Sequence, residues 1–277
     1  MNKILYATDY SKNSVSALKY ANYLSEVTGA SLTVLNILEY PTIWNSDVPK
    51  PAFEDFEKGP TGAYKKLLSE FCEQHLGKEK ADKIIFDTEK GDDIEETLKA
   101  YVLKNDFDAI LLGVHGMNPV QEFFMGSTTQ SLISSIDIPV IAVPETAALK
   151  DFKTAVFATS LDTTDVSTIK KVVPFLKEVG ATLKVVHIAE KKTDEKLKSI
   201  AAFMELLNDD VDYATKTFDV VYNEDILRGL FNFIDAQKAD LIIMKERKVQ
   251  SKLRELFHKD LVKRMESQTR IPLMSIK

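Results

Sequence analysis

The stretch GVHGMNPVQEFFMGSTTQ, Gly113 to Gln130, holds three of the chain's ten glycines and directly follows the apolar run DAILL. Glycine loses more backbone freedom on ordering than any other residue. A cluster therefore marks positive φ or a close approach to bare main chain. A glycine loop that leaves a buried strand and enters a helix can cradle an anion. Gly113 and Gly116 would leave the backbone uncovered, and Gly126-Ser127-Thr128 would open the helix STTQSLISS. The first N–H groups of a helix lack internal partners, its dipole favours negative charge there, and the two hydroxyls add donors. The competing reading of Ser127 is a plain helix cap. His115 lies in the same loop, but no second histidine stands near it and no metal-ligand spacing occurs anywhere. It reads as a loop residue, and neither a catalytic residue nor a metal site is assigned.

The elements that must hold this loop repeat within the chain. ILYATDYSKNSVSALKY matches AVFATSLDTTDVSTIKK, and GASLTVLNILE matches GATLKVVHIAE, at a constant offset of 151 that takes Ala7 to Ala158 and Gly29 to Gly180. Further on, DAILLG answers DLIIMK and DIPVIAVP answers RIPLMSIK. The chain is a duplication, read as domains 1–146 and 151–277 joined in PETAALKD. Each half alternates apolar β-rich runs with helical patterns. In the first half these are KILYAT, a helix with Ala17, Leu18, Ala21 and Leu24 on one face, SLTVLNIL, a helix around Tyr64–His75, KIIFDT, a turn at Gly91 into DDIEETLKAYVLKN, then DAILLG and PVIAVP. Runs apolar enough for burial on both faces predict an α/β fold, with a doubly wound parallel five-stranded sheet flanked by helices in each half. Ligands of such sheets lie beyond the strands' carboxyl ends at the switch point. Asp9, Ile37 and Gly113 all fall at such ends. Asp9 also reads as a turn or cap residue between strand and helix.

The spacing Gly113-x2-Gly116-x9-Gly126-Ser127 resembles the ATP-binding signature of the universal stress protein family, and ATDYS and IPVIAVP resemble that family's first and last strands. The resemblance spans the chain as two tandem domains of Rossmann-like fold. Walker-type and dinucleotide glycine patterns do not occur. The resemblance implies an adenine nucleotide, ATP or AMP/ADP, as ligand. Asp9 would hydrogen-bond the adenosine portion, Ser11 would lie near the phosphates, and Ile37 would read the adenine edge through its backbone. Gly113, Gly116, Gly126, Ser127 and Thr128 would hold ribose and phosphate. Met117 stands where relatives often carry a basic residue, and Ala7 where they often carry proline. Fewer cations imply weaker triphosphate binding relative to AMP or ADP. Magnesium is compatible with the family, but the sequence does not indicate it. Single-domain relatives commonly dimerise through their last strands, so PVIAVP and PLMSIK are expected to pair within the chain as a pseudo-dimer; a homodimer through other surfaces stays open.

The second half departs from the signature. Ser160 takes the place of Asp9, Lys245 and Lys248 those of Gly113 and Gly116, and Lys259-Asp260 that of Gly126-Ser127. Bulky charged residues fill the approach to the backbone, so this half reads as a partner domain that has lost the site. The expected function is nucleotide-dependent stress signalling through a protein partner of unknown identity. A slow ATPase and a nucleotide-independent scaffold are the alternatives, since no positioned base and metal pair is evident.

Composition agrees with a soluble cytoplasmic protein. Hydrophobic residues make up 44% and charged residues 28% of the chain, the N-terminus has no signal-peptide shape, and no apolar run approaches the ~20 residues of a membrane span. Thirty-six basic against 42 acidic residues give a net charge of −6, which argues against nucleic acid as partner. KERKVQSKLRELFHKDLVKR, Lys245 to Arg264, is the basic exception, read as a solvated helix face or an anion-binding patch. Trp44 lies in a Pro-rich loop, read as packing on the domain body or covering the nucleotide. Cys72 shares a helical face with Leu68, Phe71 and His75 and reads as a core thiol.

Overall fold

The computed structural model describes residues 1–38, 59–114, 129, 132, 135–246 and 271–277. The chain divides between Leu149 and Lys150 into two compact units, inside the segment where the duplication places its join.

In the first unit the elements are β1 (Lys3–Ala7), α1 (Lys12–Thr28), β2 (Ser31–Leu38), α2 (Gly59–Leu76), α3 (Lys78–Ala81), β3 (Ile85–Lys90), α4 (Ile94–Asn105), β4 (Ala109–Val114) and β5 (Val140–Pro144). The five strands run in the order β3-β2-β1-β4-β5, every pairing parallel. Ile4, Leu5 and Tyr6 of β1 are fully buried, as a central strand covered by helices on both faces requires. The face of α1 expected from its spacing, Ala17, Leu18, Ala21 and Leu24, is fully buried. Gly29 ends that helix in the left-handed conformation, φ 72°, which a β-carbon disfavours. Asp93 caps α4, its carboxylate accepting from the N–H groups of Glu95 (2.7 Å) and Glu96 (3.0 Å). Burial pushes the Cys72 thiol up to about 12, consistent with a core residue.

The second unit repeats the plan with β6 (Thr154–Ala158), α5 (Thr163–Val179), β7 (Thr182–Ala189), α6 (Asp194–Asp210), β8 (Lys216–Tyr222), α7 (Ile226–Ala236), β9 (Leu241–Lys245) and β10 (Leu273–Ile276). Its strand order is β8-β7-β6-β9-β10, again all parallel. The duplication reaches backbone detail. Gly180 ends α5 at φ 69° as Gly29 ends α1, and Tyr10 (φ 61°) and Leu161 (φ 69°) are left-handed at matching turns. The Asp108 carboxylate accepts from Lys3 N–H at 2.9 Å, and Asp240 does the same for Thr154 N–H at 3.1 Å. Among the described residues no helix is long and apolar enough to cross a membrane.

Candidate functional site

In the first unit the strand order reverses at β1, which is flanked by β2 on one side and β4 on the other. The crevice beyond their carboxyl ends is the switch point of a doubly wound sheet. Asp9 lies two residues past the end of β1, and Ile37 and Gly113 are each next to last, in β2 and β4. Three of the expected site residues therefore converge there, and Ser11 joins them as the residue before α1.

The β2 ladder decides what Ile37 can offer. Leu35 accepts from Thr8 N–H at 2.9 Å, so its polar backbone groups face β1. Alternation turns those of Asn36 toward β3 and those of Ile37 back toward β1. The register, however, ends at Ala7↔Leu35. The Ile37 main chain thus faces the space past the end of β1.

A dense polar network fixes the loop from Thr8 to Ser14. Thr8 Oγ1 receives Tyr10 N–H at 3.0 Å and donates to Ser14 Oγ at 3.1 Å, while Ser14 Oγ donates to Ser11 C=O at 2.6 Å. Asn36 Nδ2 holds Thr8 C=O at 2.8 Å, and the Tyr6 hydroxyl holds Ser14 C=O at 2.7 Å. Burial pushes the Tyr6 phenol up, outweighing its hydrogen bonds with Ser14 and Thr8, so it stays a donor. Asp9 is exposed, and its Oδ1 accepts from Ser11 N–H at 2.9 Å. Ser11 is the N-cap of α1 but makes no side-chain cap bond, and the first turn of α1 carries no acidic residue. The positive end of this 17-residue helix faces the crevice, and the Asp9 carboxylate lies beside it.

Gly113 has a different reason to be glycine from the one its sequence context suggests. A β-carbon there would lie 2.7 Å from Asn13 O and 2.8 Å from Ser14 Cα, both main chain of the first turn of α1. The side-chain direction is filled by the helix, not left open to ligand. Gly113 is the point where α1 presses its N-terminus against β4.

The matching place in the second unit is filled from within. Asp165, at offset 151 from Ser14, is fully buried, and its Oδ2 accepts from Thr159 Oγ1 (2.7 Å) and Ser160 N–H (3.3 Å). Asp162, at the same offset from Ser11, caps α5 by accepting from Thr164 N–H at 2.8 Å. Lys245 stands where β4 has Gly113 and donates to Thr164 Oγ1. Two carboxylates and an ammonium thus occupy strand and helix ends where the first unit has Ser14, Ser11 and Gly113.

His187 replaces Asn36 and keeps its bond to the strand-end carbonyl: Nδ1 lies 2.9 Å from Thr159 O. That contact makes Nδ1 the protonated nitrogen and leaves Nε2, which is buried without a partner among the described residues, as a lone pair. Burial and then the Lys196 charge hold its pKa below the usual histidine range, outweighing the Thr159 bond. The sequence reading passed over both His187 and Tyr10. The alignment of His187 with Asn36 was the available signal for the first; nothing local marks the second.

Gly116, Gly126, Ser127, Thr128, His115 and Trp44 lie outside the described residues, as do Lys248, Lys259 and Asp260. No group of three or more potential metal-binding side chains occurs among the described residues.

The sequence profile of the universal stress protein family matches residues 1–144. A universal stress protein from Archaeoglobus fulgidus DSM 4304 is 17% identical, with a TM-score of 0.63 over 100% of this chain and 98% of that one. A protein assigned to the same family from Pseudomonas aeruginosa UCBPP-PA14 is 13% identical, with a TM-score of 0.61 over 100% and 93%. The cytoplasmic domain of a prokaryotic cation chloride cotransporter also shares the fold, at 10% identity and a TM-score of 0.50 over 99% and 94%. The fold therefore serves proteins of different kinds, and function has to be argued from the site.

Proposed function

The chain belongs to the universal stress protein family, and on that footing we propose that its first unit binds one adenine nucleotide and signals its occupancy to a protein partner. The observation that carries this reading is the contrast between two duplicated helix ends. The N-terminus of α5 is neutralised by the chain's own Asp162 and Asp165, whereas that of α1 has an N-cap serine without a cap bond and no acid in its first turn. A helix end of this kind favours an anion. In the proposed complex the Asp9 carboxylate accepts from the ribose, the Ile37 main chain reads the adenine edge, and Ser11 lies near the phosphates. Gly116, Gly126, Ser127 and Thr128 complete the cradle, and Gly113 keeps α1 close enough to β4 to form it.

Native mass spectrometry and calorimetry with AMP, ADP and ATP test the reading. One nucleotide per chain is expected. Asp9→Ala, an exposed position whose loss leaves the loop network in place, should weaken binding by roughly tenfold, the worth of one charge-assisted hydrogen bond. Gly126→Lys should abolish binding with the thermal transition intact. Two equivalent sites per chain, or binding that ignores both variants, would overturn it.

A further inference from the structure

Tyr10 stands between Asp9 and Ser11, yet its ring belongs to a different contact. It meets Phe71 of α2 edge to face, with centroids 5.4 Å apart and planes at 88°. Phe71 in turn meets His75, one turn further along α2, at 4.8 Å. The Tyr10 main chain is left-handed, a conformation that L-residues with a β-carbon disfavour. Its hydroxyl oxygen is buried and has no hydrogen-bond partner among the described residues. An orphaned hydroxyl loses its hydration without compensation.

The duplicated unit separates what the fold needs from what is particular to this loop. Leu161 adopts the same left-handed conformation as Tyr10, so the turn itself belongs to the fold. It brings neither a ring nor a hydroxyl. The offset of 132 that takes Gly113 to Lys245 also takes Phe71 to Phe203, and Phe203 packs its ring on Phe218 of β8, at 5.6 Å. The aromatic link from the strand-end loop to the helix, and the unsatisfied hydroxyl within it, are features of the first unit.

We infer that Tyr10 couples occupancy of the β1–α1 loop to helix α2 through Phe71, so that α2 responds when the loop is occupied. The coupling rests on the nucleotide site proposed above. Asp9 and Ser11 flank Tyr10 directly, so a ligand that re-seats them changes the dihedral angles at Tyr10 and moves its ring against Phe71. The described position leaves the hydroxyl without a partner among the described residues, so a displaced position that gives it one lies close in free energy. Because coupling is reciprocal, a change at Phe71 must also alter nucleotide affinity.

Hydrogen exchange of the full chain, read by mass spectrometry with and without ADP, tests this. In the wild type ADP should slow exchange both in residues 8–14 and in α2 from Tyr64 to Leu76. In Tyr10→Leu, the side chain that the second unit carries at this turn, ADP should still protect 8–14 while the response of α2 is lost. Phe71→Leu cuts the link from the helix side and should give the same loss, with ADP affinity shifted by roughly fivefold. Protection of α2 that persists in either variant overturns the coupling, as does a wild type in which the loop responds and α2 does not. If neither segment responds and native mass spectrometry finds no bound nucleotide, the nucleotide site itself falls and the coupling with it.

Discussion

The buried carboxylate of Asp165 accepts the hydroxyl hydrogen of Thr159 at 2.7 Å, at the place where Ser14 accepts that of Thr8 at 3.1 Å in the other unit. The two units place a carboxylate differently in this loop: Asp165 is buried and also accepts from Ser160 N–H, whereas Asp9 of the first unit is exposed and accepts from Ser11 N–H at 2.9 Å.

That reading predicts an ordered pair of stability losses. Asp165→Ala leaves the buried Thr159 hydroxyl without this acceptor, at a cost of about 1–3 kcal/mol, while the N–H of the exposed Ser160 can turn to water. Asp165→Ser copies the first unit, restores an acceptor for the hydroxyl and should cost clearly less. Urea midpoints for the second unit's transition measure both. Equal losses for the two variants would contradict the role given to the carboxylate.

Gly113→Ala should destabilise the first unit even with no ligand present. Its β-carbon would press on the Asn13 carbonyl and the Ser14 α-carbon, and main chain cannot rotate away as a side chain can. Overpacking of this kind costs about 1–3 kcal/mol. Thermal unfolding of the ligand-free protein checks it; an unchanged midpoint would show that α1 yields at that point. Nucleotide loss in Gly113 variants therefore has to be judged against their stability, which is why Asp9→Ala is the cleaner probe of the site.

Much of the architecture was legible because duplication repeats the residues that mark turns. Gly29 and Gly180 occupy matching positions and take nearly the same left-handed φ. The β3 strand begins at Ile85, where KIIFDT suggests Lys83, because an edge strand is half exposed and its apolar signal does not define its ends. Asp9 and Gly113 could be placed at strand ends from spacing alone. The reason for Gly113 could not, since it lies in the close approach of a helix about a hundred residues earlier in the chain. Tyr10 was invisible for the same reason: its ring meets Phe71, and its hydroxyl is buried, only once α2 has packed against the loop.

Cys72 should be silent toward thiol reagents in the folded protein. It is fully buried, and burial raises its thiol to about 12, so almost no thiolate forms at neutral pH. Labelling with an aromatic disulfide should proceed only at the rate at which the first unit opens, and accelerate in urea along its unfolding curve. Rapid stoichiometric labelling under native conditions would place the thiol at the surface instead.

His187 predicts a pH dependence confined to the second unit. Its folded pKa is held below the value near 6.5 of an unfolded histidine, first by burial and then by the Lys196 charge. Between those two values the unfolded chain binds the proton that the folded unit refuses, so stability rises with pH there. The contribution is fully present above about pH 6.5 and is lost as pH falls from there toward the folded pKa. Protonation would also put a charge on Nε2, which has no acceptor among the described residues in its buried position. His187→Asn copies Asn36, whose Nδ2 holds the equivalent strand-end carbonyl at 2.8 Å, and it does not titrate. The variant should keep the Thr159 contact while flattening the loss of stability as pH falls below about 6.5. Asp87 contributes in a separate, lower window: burial raises its carboxyl, but hydrogen bonds from Tyr101 and Lys65 outweigh that and hold it below the usual carboxylate range. Urea midpoints of wild type and His187→Asn across this range decide the matter, and parallel curves would show that His187 does not carry the dependence.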